Sequence, residues 1–135
     1  MNKHFRLNGM LVFCLISAFL FGCSKEDHNK RNNELLQGKW IVSSWLYGDD
    51  EQMGGILAHS YTMEFTSTSE TGGDAKWTII NGTGYVTHLD YPYTVTDDGK
   101  KLEFNGEWDL SVSENSLHVE STVVSSHYEL QAERE

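Results

Sequence analysis

From Leu35 onward the chain alternates apolar and polar side chains with a period of two, the spacing of strands that bury one face. Trp40, Val42, Ser44 and Leu46 share one face of a first strand, which leaves Trp45 and Tyr47 opposite as exposed aromatics. Tyr61, Met63 and Phe65 form a second inward set, and Trp77 with Ile79 a third. Tyr85, Thr87 and Leu89 lead into Tyr91, Tyr93 and Val95, as two strands or one bent at Pro92. The same alternation places Leu102 and Phe104, then Trp108, Leu110 and Val112, then Leu117 and Val119, and finally Tyr128, Leu130 and Ala132. No stretch of ten residues carries a helical period. Asn33 to Gln37 is expected to make one short turn with Asn33 as its cap.

Turn chemistry falls between these runs. Gly72-Gly73, Asn81-Gly82, Asp97-Asp98-Gly99, Asn105-Gly106 and Glu114-Asn115 supply residues that tolerate positive φ, as hairpins require. Short strands at this spacing predict an all-β antiparallel sandwich or barrel.

The first 22 residues follow a different rule. Lys3, His4 and Arg6 give a basic start, and Leu11 to Phe21 is apolar apart from Ser17. That run spans roughly 16 Å as a helix, about half of a hydrocarbon core of roughly 30 Å, so it reads as a signal-peptide core. Leu20-Phe21-Gly22-Cys23 resembles the lipobox of bacterial lipoproteins, although Phe21 stands where a small residue is usual. The resemblance implies cleavage before Cys23 and acylation of that cysteine, an anchor holding the chain to a membrane. Ser24-Lys25-Glu26-Asp27 resembles the surface-export signal of Bacteroidota lipoproteins. It implies the outer membrane and its outer leaflet; the periplasmic face is the alternative.

Composition sharpens this picture. Cys14 would leave with the signal, so the mature chain keeps Cys23 alone and forms no intrachain disulfide. Loss of Lys3 and Arg6 leaves eight bases against twenty acids, a formal charge of −12. Such a balance excludes nucleic acid as a partner. Ser24 to Asn33 is polar, charged and aperiodic, the composition of a flexible tether. The expected organisation is a signal over 1–22, acylated cysteine and tether over 23–34, and one β-barrel domain over 35–135.

Leu36-Gln37-Gly38-Lys39-Trp40 is similar to the opening of lipocalin-like domains, where a helical turn leads into a Gly-x-Trp first strand. Met63-Glu64-Phe65, Tyr93-Thr94-Val95, Asp98-Gly99-Lys100-Lys101-Leu102, Ser116-Leu117 and Tyr128-Glu129-Leu130 continue the same plan. The resemblance implies a small antiparallel up-and-down barrel of about eight strands, shorter than a full lipocalin. It also implies that Trp40 closes the barrel floor beneath a basic residue of the last strand, a place only Arg134 can take. Trp40, Phe65, Trp77, Tyr85, Tyr93, Phe104 and Trp108 fall on inward faces. They either fill the interior or line a pocket for a small apolar ligand. A barrel of this size has room for side chains or for one such molecule.

Catalytic and metal chemistry is not nominated. His28, His59, His88, His118 and His127 show no zinc-like spacing, and His118 with Glu120 is expected on an outward face. No G-x-S-x-G elbow is present. Asp49-Asp50-Glu51 and Asp97-Asp98 lack the alternation of a calcium loop. The glycines of Met53-Gly54-Gly55 and of Asn81-Gly82-Thr83-Gly84 lack the lysine and helix of a phosphate loop. The sequence therefore points away from an enzyme or a cofactor. It points to a lipid-anchored binding module for a small apolar ligand or an envelope protein partner. The alternative is a packed barrel serving as a subunit of an envelope assembly.

Overall fold

The computed structural model describes residues 27–55, 57–123 and 126–135. Cys23, the segment before it and most of the acidic cluster after it lie outside these residues. A helix, α1 (His28–Leu36), precedes nine strands: β1 (Gly38–Tyr47), β2 (Asp50–Glu51), β3 (Ser60–Ser67), β4 (Gly72–Ile80), β5 (Val86–Thr96), β6 (Lys101–Glu103), β7 (Glu107–Val112), β8 (Ser116–Val123) and β9 (Ser126–Arg134). Neighbouring staves pair antiparallel, and β9 returns to β1, closing the sheet. β2 is a two-residue flap on the end of β1, so the wall has eight staves. The fold is the expected all-β up-and-down barrel.

Inward positions follow the period-two reading. Trp40, Val42, Tyr61, Met63, Phe65, Ala75, Trp77, Tyr93, Val95, Leu102, Leu110, Leu117, Val119, Leu130 and Ala132 are all buried. β1 departs from it at one place. Val42 pairs with Ala132 and Ser44 with Gln131, so Ser43 is an extra residue, a β-bulge. One extra residue reverses the facing of everything beyond it. Trp45 therefore stands opposite Leu130 and Tyr47 opposite Tyr128, on the interior side, not outside as the unbroken alternation predicts. Trp45 is half-buried against the core.

Two further corrections concern Gly72-Gly73 and Tyr85, and the alternatives left open at Pro92 are decided. Gly72 and Gly73 are not turn residues but the buried start of β4. A side chain on Gly72 would lie 2.5 Å from the carbonyl oxygen of Tyr93, and one on Gly73 would strike that of Thr66. β5 is one strand running through Pro92. Tyr85 lies before β5 and is 69% exposed at the rim rather than inside.

The largest correction is α1. The segment read as a tether is helical from His28, with Asp27 rather than Asn33 as its cap: the Asp27 carboxylate accepts from Lys30 N at 3.1 Å. The helix carries no apolar stripe. It is held to the barrel by its asparagines. Asn29 Oδ1 accepts from Gly99 N (2.6 Å) while Asn32 Nδ2 donates to Gly99 O (2.8 Å), clamping the β5–β6 turn. Asn33 is buried and donates to Ser67 Oγ, Ser69 O and Glu70 O at 3.1–3.2 Å, which fixes the β3–β4 turn. Leu36, the last residue of the helix, is fully buried. Residues expected in the tether, His28 to Glu34, thus form a helix that packs on the barrel.

The wall is uneven in height. β6 and β7 turn back early, at Asn105 and Gly106, whose φ values of 42° and 125° suit a tight hairpin. Only Thr94, Val95 and Thr96 of β5 pair with β6, and β7 pairs with β8 only as far as Glu120. Among the described residues, Val86–Tyr93 of β5 and Ser121–Val123 of β8 therefore face each other across a slit with no ladder between them. Pro92, which has no N–H to offer, sits on this free stretch, where a strand tolerates it.

Candidate functional site

The interior divides into a sealed floor and an aromatic upper half. At the floor, the Arg134 guanidinium lies 4.3 Å from the Trp40 ring centroid. Its three nitrogens donate to the carbonyls of Gln37 (2.6 Å), Leu35 (2.5 Å) and Glu114 (2.6 Å). Trp40 Nε1 donates to Leu36 O at 2.8 Å. A cation at the carbonyl end of α1 also complements its dipole. Gly38, at φ 102°, leaves room for this cation: a side chain there would come within 3.3 Å of Arg134 Nη1. Tyr93 OH donates to Asn33 Oδ1 (2.7 Å) and accepts from Gln37 Nε2 (2.9 Å), and Phe65 meets the Tyr93 ring edge-on at 5.2 Å. Burial raises the Tyr93 hydroxyl pKa, the Gln37 bond opposes this, and the Asp74 charge adds to it. Trp40, Phe65 and Tyr93 are thus floor and core, with their polar atoms matched.

Above the floor, rings touch in an unbroken series. Tyr47 meets Tyr128 at 4.9 Å and Tyr128 meets Trp108 at 6.3 Å. Trp108 stacks on Phe104 at 5.0 Å, and Phe104 meets Trp77 at 4.7 Å. Trp77 continues to Tyr61 at 5.6 Å and to Tyr91 at 6.2 Å, and Tyr61 to Trp45 at 5.5 Å. Burial falls along this series from Tyr61 and Phe104 to Tyr47, which is 46% exposed at the rim. Half-buried Ile79, Leu89 and Met53 complete the apolar lining. Among the described residues, the inward positions of this upper half carry no charged side chain. Tyr61 is held neutral by burial, with Tyr91 adding to the upward shift of its pKa.

Trp45 enters this lining, against Tyr61, only because of the Ser43 bulge; period-two reading alone could not place it there. Glu51 fixes the rim. Its carboxylate accepts from Ser44 Oγ (2.6 Å), Trp45 N (2.9 Å) and Met53 N (2.8 Å). Burial opposes the charge, yet the sum of these bonds holds the Glu51 pKa below the ordinary value of 4.5. The carboxylate thereby ties Met53, whose bridge partner Ala58 is buried, to the end of β1.

One atom breaks the pattern of matched polar groups. Trp77 is 8% exposed, and its Nε1 has no hydrogen-bond partner. Trp108 Nε1, by contrast, donates to Phe104 O at 3.2 Å. An unmade buried donor costs about 1–3 kcal/mol. At the foot of the slit, a surface depression lined by Pro92, Glu103, Phe104, Asn105, Gly106 and Glu107 leads to Phe104, the ring that packs on Trp77.

The histidine noted on the outward face of β8 belongs to a cluster. His118 Nε2 lies 3.0 Å from one Glu129 oxygen and His127 Nε2 3.5 Å from the other, with Glu120 3.6 Å from His127 Nδ1. Gln131 first, then the two histidines, hold the Glu129 pKa below 4.5 against its burial. Among the described residues no three His, Cys, Asp or Glu side chains are grouped to hold a metal ion. No described helix is long and apolar enough to cross a membrane.

No family model and no curated protein matches the sequence. Among solved structures the chain is similar to lobster apocrustacyanin A1, in a crystal structure determined with softer X-rays. The identity is 13%, the match covers 81% of this chain and 69% of that chain, and the TM-score is 0.49. At that identity no site residue is carried across.

Proposed function

We infer that this chain is a lipid-anchored binding protein whose barrel holds a small apolar ligand in its upper half. The observation that carries this reading is the uncharged aromatic series from Trp77 to the exposed rim, above a floor sealed by α1, Trp40 and Arg134. An apolar lining with few polar groups is the usual character of a small-molecule site. The protein is expected to leave its host with such a molecule bound. Native mass spectrometry, compared with the denatured mass, reads it as extra mass released on denaturation. A bare mass, together with tryptophan emission that ignores added apolar probes, would overturn the reading.

The address belongs to the same proposal. The basic and apolar segments before Leu20-Phe21-Gly22-Cys23 support cleavage and acylation at Cys23, with the barrel held at the outer membrane and facing outward. Cys23→Ala is expected to abolish labelling by radioactive palmitate and to move the chain out of the membrane fraction. Labelling that persists in the variant would remove the anchor from this account. The second reading, a packed barrel acting through an envelope protein partner, is favoured by the rings lying in mutual contact. Cross-linking that returns a stoichiometric partner from a chain with no bound molecule would select it.

A further inference from the structure

We propose that Trp77 is a hydrogen-bond donor to the ligand, so the ligand is an uncharged apolar molecule carrying one acceptor oxygen of the carbonyl type. The inference deepens the binding reading above and rests on it. Trp77 Nε1 is buried and without an acceptor, at the centre of the aromatic series and in contact with Tyr61, Tyr91 and Phe104. Other buried donors among the described residues have acceptors: Trp40 Nε1 on Leu36 O, Tyr93 OH on Asn33, Ser121 Oγ on Glu107 O. A wall that satisfies these donors and leaves the Trp77 N–H open inside an apolar lining has a place for an oxygen from outside the chain.

The charge of the ligand follows from the same surroundings. Among the described residues no inward side chain near Trp77 is a cation, so a carboxylate brought there would stay unpaired in an apolar setting. The formal charge of −10 on the whole chain adds repulsion to that cost. A neutral ketone, aldehyde or ester oxygen accepts from an indole N–H without either penalty. Specificity would then rest on a site that rejects analogues leaving its donor unmatched.

Three probes of equal size separate the possibilities: 2-acetylnaphthalene, its hydrocarbon isostere 2-isopropenylnaphthalene, and 2-naphthoate. Each is titrated into the full chain in detergent, with detergent blanks, and followed by tryptophan emission and by the indole N–H signals of the four tryptophans. The ketone is expected to bind about five- to tenfold more tightly than the isostere, the gain from satisfying one buried donor. The naphthoate is expected to bind most weakly. Trp77→Phe should reduce the ketone-to-isostere ratio to below about twofold, whatever it does to both affinities together. In the unsubstituted chain the Trp77 indole proton should shift downfield with the ketone and not with the isostere. Equal binding of ketone and isostere, or an unmoved Trp77 indole proton when the ketone binds, overturns this inference and leaves the apolar site standing. Failure of all three probes to bind removes the site and the inference together. Should Trp77→Phe fail to fold, the indole shift in the unsubstituted chain decides.

Discussion

Arg134 concentrates more of this fold in one side chain than any other charged residue described. It joins the last strand to the end of α1, to the β7–β8 turn and to the first strand through three carbonyls and an indole face. Charge-assisted bonds of this kind are worth about 1.5–3 kcal/mol each at most, and the ring contact about 0.5–2 kcal/mol. Arg134→Met is expected to lower unfolding stability by about 2–4 kcal/mol, with Arg134→Lys recovering less than half, because an ammonium cannot span three acceptors. Urea titration reads both; a loss under about 1 kcal/mol for Arg134→Met would show that the floor holds without it. Acid sensitivity has a separate origin. Glu129 and Glu51 both titrate below 4.5 in the folded chain, so their stabilisation is complete above that value and is lost as pH falls through the lower folded values. Glu129→Gln should therefore flatten the fall in melting temperature below about pH 4.5; an acid limb identical to the parent's would assign it to other carboxylates. The pairing of Trp40 with Arg134 was open to the sequence because it rests on identity and order. The unpaired indole N–H of Trp77 was not, since no pattern records which donor lacks an acceptor.

At the scale of elements, the staves were legible and their exceptions were not. Alternation fixes a strand's facing only while its register is unbroken, and nothing in Val42-Ser43-Ser44 marks a bulge to a period-two reading. Deleting Ser43 is expected to turn Trp45 and Tyr47 outward or to push Trp40 and Val42 out of the core. Either outcome breaks the Trp45–Tyr61 contact, which near-ultraviolet circular dichroism would register together with a loss of several kcal/mol. An unchanged spectrum would mean the strand tolerates the shorter register. Helix α1 escaped notice for a different reason. Sequence periodicity detects helices that bury apolar stripes, whereas this one binds through Asn29, Asn32 and Asn33 to backbone groups of two turns. Asparagine is a poor helix former, so propensity and polarity both read as loop. Gly72 and Gly73 misled in the opposite sense: their small size serves close strand contact, not a turn.

For the molecule as a whole, the two ends of the barrel are built on different principles. The floor is polar in detail, with its guanidinium hydrogen-bonded to carbonyls and set against an indole face and a helix end. The upper half is aromatic, uncharged and incompletely walled. Its slit, between Val86–Tyr93 of β5 and Ser121–Val123 of β8, has a consequence for time rather than for affinity. A continuous barrel can release its contents only by unthreading at a mouth or by breaking ladder bonds. Here the two free edges can part while the described pairings remain intact, so escape need not wait for unfolding. Amide protons along the free side of β5 should exchange orders of magnitude faster than those shared by β1 and β9. A disulfide tying the free edge of β5 to β8 should lengthen ligand residence while leaving the strength of binding nearly unchanged. Were residence time to follow global stability instead, the slit would be a feature of shape alone.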